Sequence, residues 1–255
     1  MRINVVILLQ CALAAQSSVP SPEANFGFSE QGPRYGGEFT LNAPFSAKRV
    51  KEHSQILLNG TRVTQPTSTI LMFRDGAGRT RAEWPIAIGP IARSGTLIVQ
   101  IEDPGIGVEY VLDQQHRVTH RLPIARKTPM YDQGPPAVSS TASRSNEAPG
   151  RPQFTIEDLG AQTIEGLHAK GYRETRIDPA GFSGNDGPVT TIREVWWSVE
   201  LRMNIVIKTS SPVTGEETIR FVDITLGEPA PSLFQPPADY NLIEESGPFV
   251  LRLKL

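Results

Sequence analysis

Along most of the chain, apolar residues recur at every second position rather than every third or fourth. Val108, Tyr110 and Leu112 alternate with Glu109 and Val111. Val118, His120, Leu122 and Ile124 alternate with Arg117, Thr119 and Arg121. Leu201, Met203, Ile205 and Ile207 alternate with Arg202, Asn204, Val206 and Lys208, the cleanest such run. A β-strand turns successive side chains to opposite faces, so these runs predict strands with one face buried and one face wet. Further strands are predicted over 50–58, 61–74, 79–86, 97–101, 170–178, 191–199 and 217–226.

Turn chemistry separates the runs. Asn59-Gly60 is a strong hairpin signal, because both residues tolerate positive φ. Pro66 implies an edge position or a bulge in the returning strand. Asp75-Gly76-Ala77-Gly78, Asp103-Pro104-Gly105, residues 113–116 and Pro212 to Gly215 are further turns. Residues 179–188 form a glycine-rich loop. Only Pro231-Ser232-Leu233-Phe234 suits a short helical turn, with Leu233 and Phe234 packing inward.

The patterns predict an all-β fold: a strongly curved antiparallel sheet, or an open half barrel, of about nine or ten strands with few or no helices. A sheet of that size must curl, split or close to manage its edges. Residues 126–152 lack apolar periodicity and read as a flexible insertion. It is taken as a long loop within a single β domain spanning 38–247, the alternative being a boundary between two domains. Residues 248–255 read as a C-terminal tail.

Composition agrees with this reading. The chain has 255 residues, enough for a sizeable core. Its 22 glycines and 22 prolines are about 17% of the chain, above the roughly 12% of average usage, which favours turns over long helices. The net charge of −2 leaves no basic face for phosphates, so nucleic acid is not expected as a partner.

The N-terminus predicts export. Met1-Arg2 supplies a positive charge, Ile3 to Leu9 is an unbroken apolar run, and Ala12-Leu13-Ala14 offers small residues at cleavage spacing. Residues 1–15 therefore read as a signal peptide and 16–37 as a flexible Ser/Pro/Gly-rich leader. The protein is expected to be periplasmic or extracellular. Cys11 is the only cysteine and lies inside that signal. A lipoprotein signal acylated at Cys11 is the alternative, against which Gln10 argues. Cleavage after Ala14 or Ala15 would leave neither disulfide nor thiol chemistry. No later segment is apolar enough to span a membrane as a helix.

No catalytic motif stands out, and no catalytic residue is assigned. Gly181-Phe182-Ser183-Gly184 lacks the spacing of a nucleophile elbow. His116 and His120 are four apart, but on a strand four residues span about 13 Å, too far for one metal ion. His120 is expected to be hydrogen-bonded at the edge of the core, and His53 and His168 have no evident partners. Asp75, Asp103, Asp113 and Asp186 sit at turns, where local backbone hydrogen bonds explain them. Asn185-Asp186 is the best calcium candidate among them. Neither a metal nor a cofactor is expected. Trp196 and Trp197 should face opposite sides of their strand. Asn59-Gly60-Thr61 is formally a glycosylation sequon, but the hairpin explains it better.

A set of blocks in the second half carries a resemblance. They are Leu159-Gly160, Gln162-Thr163-Ile164-Glu165-Gly166, Pro179-Ala180-Gly181 and Gly184-Asn185-Asp186. Trp197-Ser198, Glu200-Leu201, Gly215-Glu216 and Glu228-Pro229 follow. Pro231-Ser232-Leu233-Phe234, Pro237 and Asp239-Tyr240 close the set. With weaker echoes at Pro44-Phe45-Ser46-Ala47, Asn59-Gly60-Thr61-Arg62, Arg74-Asp75 and Gly78-Arg79-Thr80-Arg81, the chain resembles a family of uncharacterised secreted proteins abundant in acidobacterial genomes. The resemblance spans roughly residues 44–240 and supplies no catalytic residues. At the level of fold, the pattern is similar to periplasmic half-barrel proteins of the LolA and RseB type, although this chain lacks the helices that cover their cavity. That similarity implies a concave apolar sheet holding acyl chains or sensing lipoproteins.

The functional expectation is a non-enzymatic envelope protein binding a lipid, acyl chain or lipoprotein, with Trp197, Met203 and Ile205 on the apolar face. The alternatives are an envelope protein-interaction module with a filled core and, less favoured, a hydrolase with an unrecognised site.

Overall fold

The computed structural model describes residues 23–28, 40–88, 91–124, 142–144 and 150–254. Most of them are strand. The first eight strands are β1 (Glu23–Phe28), β2 (Phe45–Ile56), β3 (Arg62–Thr64), β4 (Ser68–Arg74), β5 (Thr80–Ile88), β6 (Ile91–Asp103), β7 (Val108–Asp113) and β8 (Val118–Pro123). The rest are β9 (Ala142–Arg144), β10 (Gln153–Ile164), β11 (Leu167–Asp178), β12 (Val189–Ser198), β13 (Met203–Ser211), β14 (Gly215–Leu226), β15 (Asn241–Glu244) and β16 (Phe249–Lys254). The one helical turn among the described residues is the 3-10 turn Pro231–Phe234, opened by its proline as expected. The all-β class therefore holds, with more strands than alternation alone had marked.

The chain forms two compact units, each assembled from separated segments. The first comprises Met1–Pro44, Leu71–Pro129 and Glu228–Leu255; the second comprises Phe45–Ile70 and Met130–Gly227.

In the first unit the strands follow the order β15-β8-β7-β6-β5-β4, beside a separate β1–β16 ribbon. All pairs are antiparallel except β15, which lies parallel to β8. Alternation assigns β7 and β8 one wet face each, yet both faces of β7 are buried here, while β8 is only partly covered. On one side Val99, Ile101, Leu112 and Phe234 form the core, with Phe73, Tyr110, Leu233 and Tyr240 against it. On the other, Ile98, Gln100, Glu102, Glu109, Val111 and Leu122 are also buried. The C-terminal segment accounts for the first side, since Phe234 and Leu233 come from the 3-10 turn. Arg81 donates to the Leu233 carbonyl at 2.9 Å and fixes that turn over the sheet.

The leader and tail expectations need correction on two segments. β1 lies within 16–37 and β16 within 248–255, and they pair from Glu23↔Lys254 to Phe28↔Phe249. Neither has a partner nearby in sequence, so local pattern could not mark them. Residues 1–15, including Cys11, lie outside the described residues. Of the 126–152 insertion, β9 is a strand and pairs with β10.

The second unit has the order β2-β14-β13-β12-β11-β10-β9, with β3 on β2. Its sheet is open: among the described strands, the two end strands do not pair. The returning strand expected over 61–74 is split into β3 and β4 around Pro66, which has no N–H to donate. Register shifts fall at Asp158/Gly160, Trp196/Trp197 and Val222/Thr225. Each extra residue bends its strand and increases the local twist.

Candidate ligand-binding face

The second unit's sheet carries two adjacent rows of opposite chemistry. Tyr172, Val195, Ile207 and Ile219 pair successively across β11, β12, β13 and β14. Partners directly across a ladder share a face, so these four form one apolar row, ended by Asp158 and Lys51. Phe221, Phe45 and Ala47 extend the same face by alternation, and Phe45 meets Phe221 edge-on at 6.3 Å between ring centroids. Val195 and Tyr172 are buried, whereas Ile207 and Ile219 are half-buried.

One residue along each strand, the opposite face is charged. Glu157, Arg173, Glu194, Lys208, Thr218 and Glu52 pair in a second row. Arg173 binds Glu194 through Nε (2.9 Å) and an η-nitrogen (2.6 Å), and Glu157 through the other η-nitrogen (3.0 Å). The hydrogen bond to Glu194 is the main reason the guanidinium's pKa lies above its ordinary value. At this level of the sheet one face is aliphatic and the other is a chain of opposite charges; further along the strands the aliphatic row is flanked on its own face by the Lys51–Glu217 and Arg193–Glu174 ion pairs.

The three residues singled out from the sequence do not share a face. Trp197 pairs with Lys170 and Asn204 and lies on the apolar-row side, two residues from Val195. Met203 pairs with Ser198, which points the other way. Ile205 is the extra residue of the bulge, opposite the Trp196–Trp197 step, and is fully buried. The bulge thus breaks the 201–207 run: Leu201 is buried in the preceding turn, and Met203 and Ile207 face opposite sides. β12 itself alternates regularly against β11, so Trp196 and Trp197 do face opposite sides. The sequence reading missed Tyr172, Val195, Ile207 and Ile219 as a row, because their alignment depends on register between strands.

The polar candidates resolve as structural groups. His53 donates from Nε2 to the Thr214 carbonyl at 2.7 Å. His168 and Glu200 meet at 2.6 Å, so both histidines without evident partners have them. His120 meets Glu245 at 2.7 Å and stacks on Phe249 at 4.3 Å, the edge-of-core position expected of it. Asp103 accepts from Gly105 and Ile106, Asp113 from His116, and Asp75 from Arg79. Asn185 accepts from the Ser183 amide and donates to the carbonyls of Pro179 and Gly187, a loop clasp rather than a calcium cradle. No group of three or more metal-ligating side chains occurs among the described residues.

Ser198, Glu200 and His168 come together, but in the wrong order for a nucleophilic triad. In a triad the imidazole bridges hydroxyl and carboxylate. Here Glu200 is central, accepting from Ser198 Oγ at 3.0 Å and from the His168 amide at 2.9 Å. Burial pushes the Glu200 carboxyl upward, but hydrogen bonds from His168, its own amide and Ser198 outweigh this and hold it at about 2. Ser198 is fully buried and also accepts from the Leu201 amide at 3.2 Å.

A buried polar set lies on the first unit's sheet. Glu102 and Glu109 are direct cross-strand partners, both buried, and the Gln100 amide donates to Glu109. The alternation reading had placed Glu109 on a wet face.

No family model matches the chain, and no curated protein matches it. Among solved structures, it is similar to an uncharacterized conserved protein from Thermus thermophilus, at 8% identity and TM-score 0.39. That match covers 80% of this chain and 92% of the other. It is similar to MucB in the Pseudomonas aeruginosa MucA/MucB complex, at 15% identity and TM-score 0.40, covering 78% of this chain and 58% of that one. The chain thus spans less than two thirds of that relative's length. A putative outer membrane lipoprotein-sorting protein domain from Vibrio parahaemolyticus matches at 6% identity and TM-score 0.28, covering 75% and 89%.

Proposed function

We propose that this chain is an exported envelope protein that binds an apolar or amphipathic ligand, an acyl chain or the lipid part of a lipoprotein, on the second unit's apolar face. The observation that carries the reading is the Tyr172–Val195–Ile207–Ile219 row, backed by the Glu157–Arg173–Glu194–Lys208 row. Binding would come from covering the half-buried Ile207, Ile219 and Trp197, at roughly 25 cal/mol per Å² before association costs. The signal-peptide pattern read in residues 1–15 is what motivates an envelope location. No described helix is long and apolar enough to cross a membrane. The proposal is for binding rather than catalysis, because the Ser198–Glu200–His168 cluster has the wrong order for nucleophilic attack. Native mass spectrometry of delipidated protein offered palmitate or a diacylated lipopeptide tests it. One-to-one uptake, lost in Ile207→Asp, is expected; no uptake by the wild type would reject the reading.

A second reading rests on the full burial of Val195 and Ile205. A face already filled by packing would leave the protein an interaction module of the envelope. It predicts no uptake and an Ile207→Asp variant that is destabilised without any change in ligand behaviour.

A further inference from the structure

We propose that the tip of the β2–β3 hairpin is a membrane-docking element that lays Ile56, Leu57 and Leu58 into the surface of a lipid bilayer. Leu58 is fully exposed, Ile56 is 61% exposed, and Leu57 and Val63 are 43% and 45% exposed. Single exposed apolar residues are ordinary, but three in a row at a chain reversal, with a fourth across the turn, form a continuous apolar tip. The neighbouring β13–β14 turn adds Val213, 59% exposed, and His53 ties that turn to β2 through the Thr214 carbonyl at 2.7 Å.

Two observations favour a bilayer over a protein surface. Residues 53–73 contain no carboxylate, and Arg62, their only lysine or arginine, is ion-paired with Glu216 of the adjoining β14, so the charge next to the tip is compensated. Several backbone groups of the tip are also satisfied within it. The Leu57 amide donates to the Thr61 carbonyl at 2.9 Å, the Gly60 amide to the Leu57 carbonyl at 2.8 Å, and the Thr61 amide to Asn59 Oδ1 at 3.0 Å. Backbone groups without internal partners would resist entry into an apolar phase. Arg62 sits directly across from Ile56 and turns its side chain along the hairpin to Ser54 Oγ at 3.1 Å and Glu216 at 3.5 Å. The element is separate from the apolar row described above and does not depend on a ligand there.

The test is co-sedimentation of the full chain with vesicles of phosphatidylethanolamine and phosphatidylglycerol, with circular dichroism confirming that each variant is folded. Wild type is expected to sediment with the vesicles. The double variant Leu57→Ser/Leu58→Ser should lower the partition coefficient at least about tenfold, while Leu58→Phe keeps it. Leu226→Ser removes another exposed leucine, at the far end of β14 in the same unit, and should bind as wild type does. Wild type left in the supernatant, or a double variant within twofold of wild type, would overturn the proposal. So would self-association or protein capture that depends on Leu57 and Leu58 without vesicle binding.

Discussion

Trp196 lies flat across Gly171. The two are direct partners on β12 and β11, and a Cβ built on Gly171 would sit 2.6 Å from the indole ring. The glycine is needed here for space, since the ring covers the backbone where a side chain would stand. Gly171→Ala must displace the indole, and overpacking of this kind costs about 1–3 kcal/mol. The denaturation midpoint should fall accordingly, and near-ultraviolet dichroism should report the moved tryptophan. An unchanged midpoint would refute the packing.

Gly215 is held by two constraints at once. Its φ is +83°, and a Cβ would collide with the Ser54 carbonyl of β2. Both the left-handed conformation and the backbone contact exclude a side chain. Gly215→Ala should therefore cost more than Gly171→Ala, about 2–4 kcal/mol, because the obstructing atom is backbone and cannot rotate away. Urea denaturation of the two variants side by side checks the order.

Glu200 makes stability depend on acid. Its folded pKa, about 2, lies below the ordinary 4.5. The protonated form is thus favoured in the unfolded chain, and the stabilisation is complete above about pH 4.5. It is lost as pH falls from there toward 2. Glu200→Gln should lower stability at pH 7 by about 1–2 kcal/mol, after allowance for solvent screening, and flatten the acid limb of the stability curve. Equal acid sensitivity in wild type and variant would contradict this assignment.

Ile205 and Ile207 should separate packing from binding. Ile205 is fully buried at the bulge, so Ile205→Ala should cost about 2–5 kcal/mol while leaving the affinity of folded protein for palmitate unchanged. Ile207, half-buried on the apolar row, should behave the other way in Ile207→Ser, with a smaller loss of stability and at least about tenfold weaker binding. Thermal melts and isothermal titration on both variants decide it.

Alternation and turn chemistry determined the all-β class, the β7–β8 and β11–β14 region, and the Asn59-Gly60 hairpin. These rest on neighbours within a few residues, where the pleat and the positive φ of Gly60, +82°, act locally. The 3-10 turn at Pro231–Phe234 was legible for the same reason. Tertiary structure alone decided the rest. The β1–β16 ribbon joins Glu23 to Lys254, and β15 adds to β8 in parallel, pairings that no local pattern encodes. The bulge at Ile205 turned an apparently regular run into two half-runs on opposite faces, moving Met203 away from Trp197. Glu109, spaced like a wet-face residue, became buried because the first unit covers both sides of its strand. A strand's period says which residues alternate, but which face is dry depends on what lands on it from elsewhere in the chain.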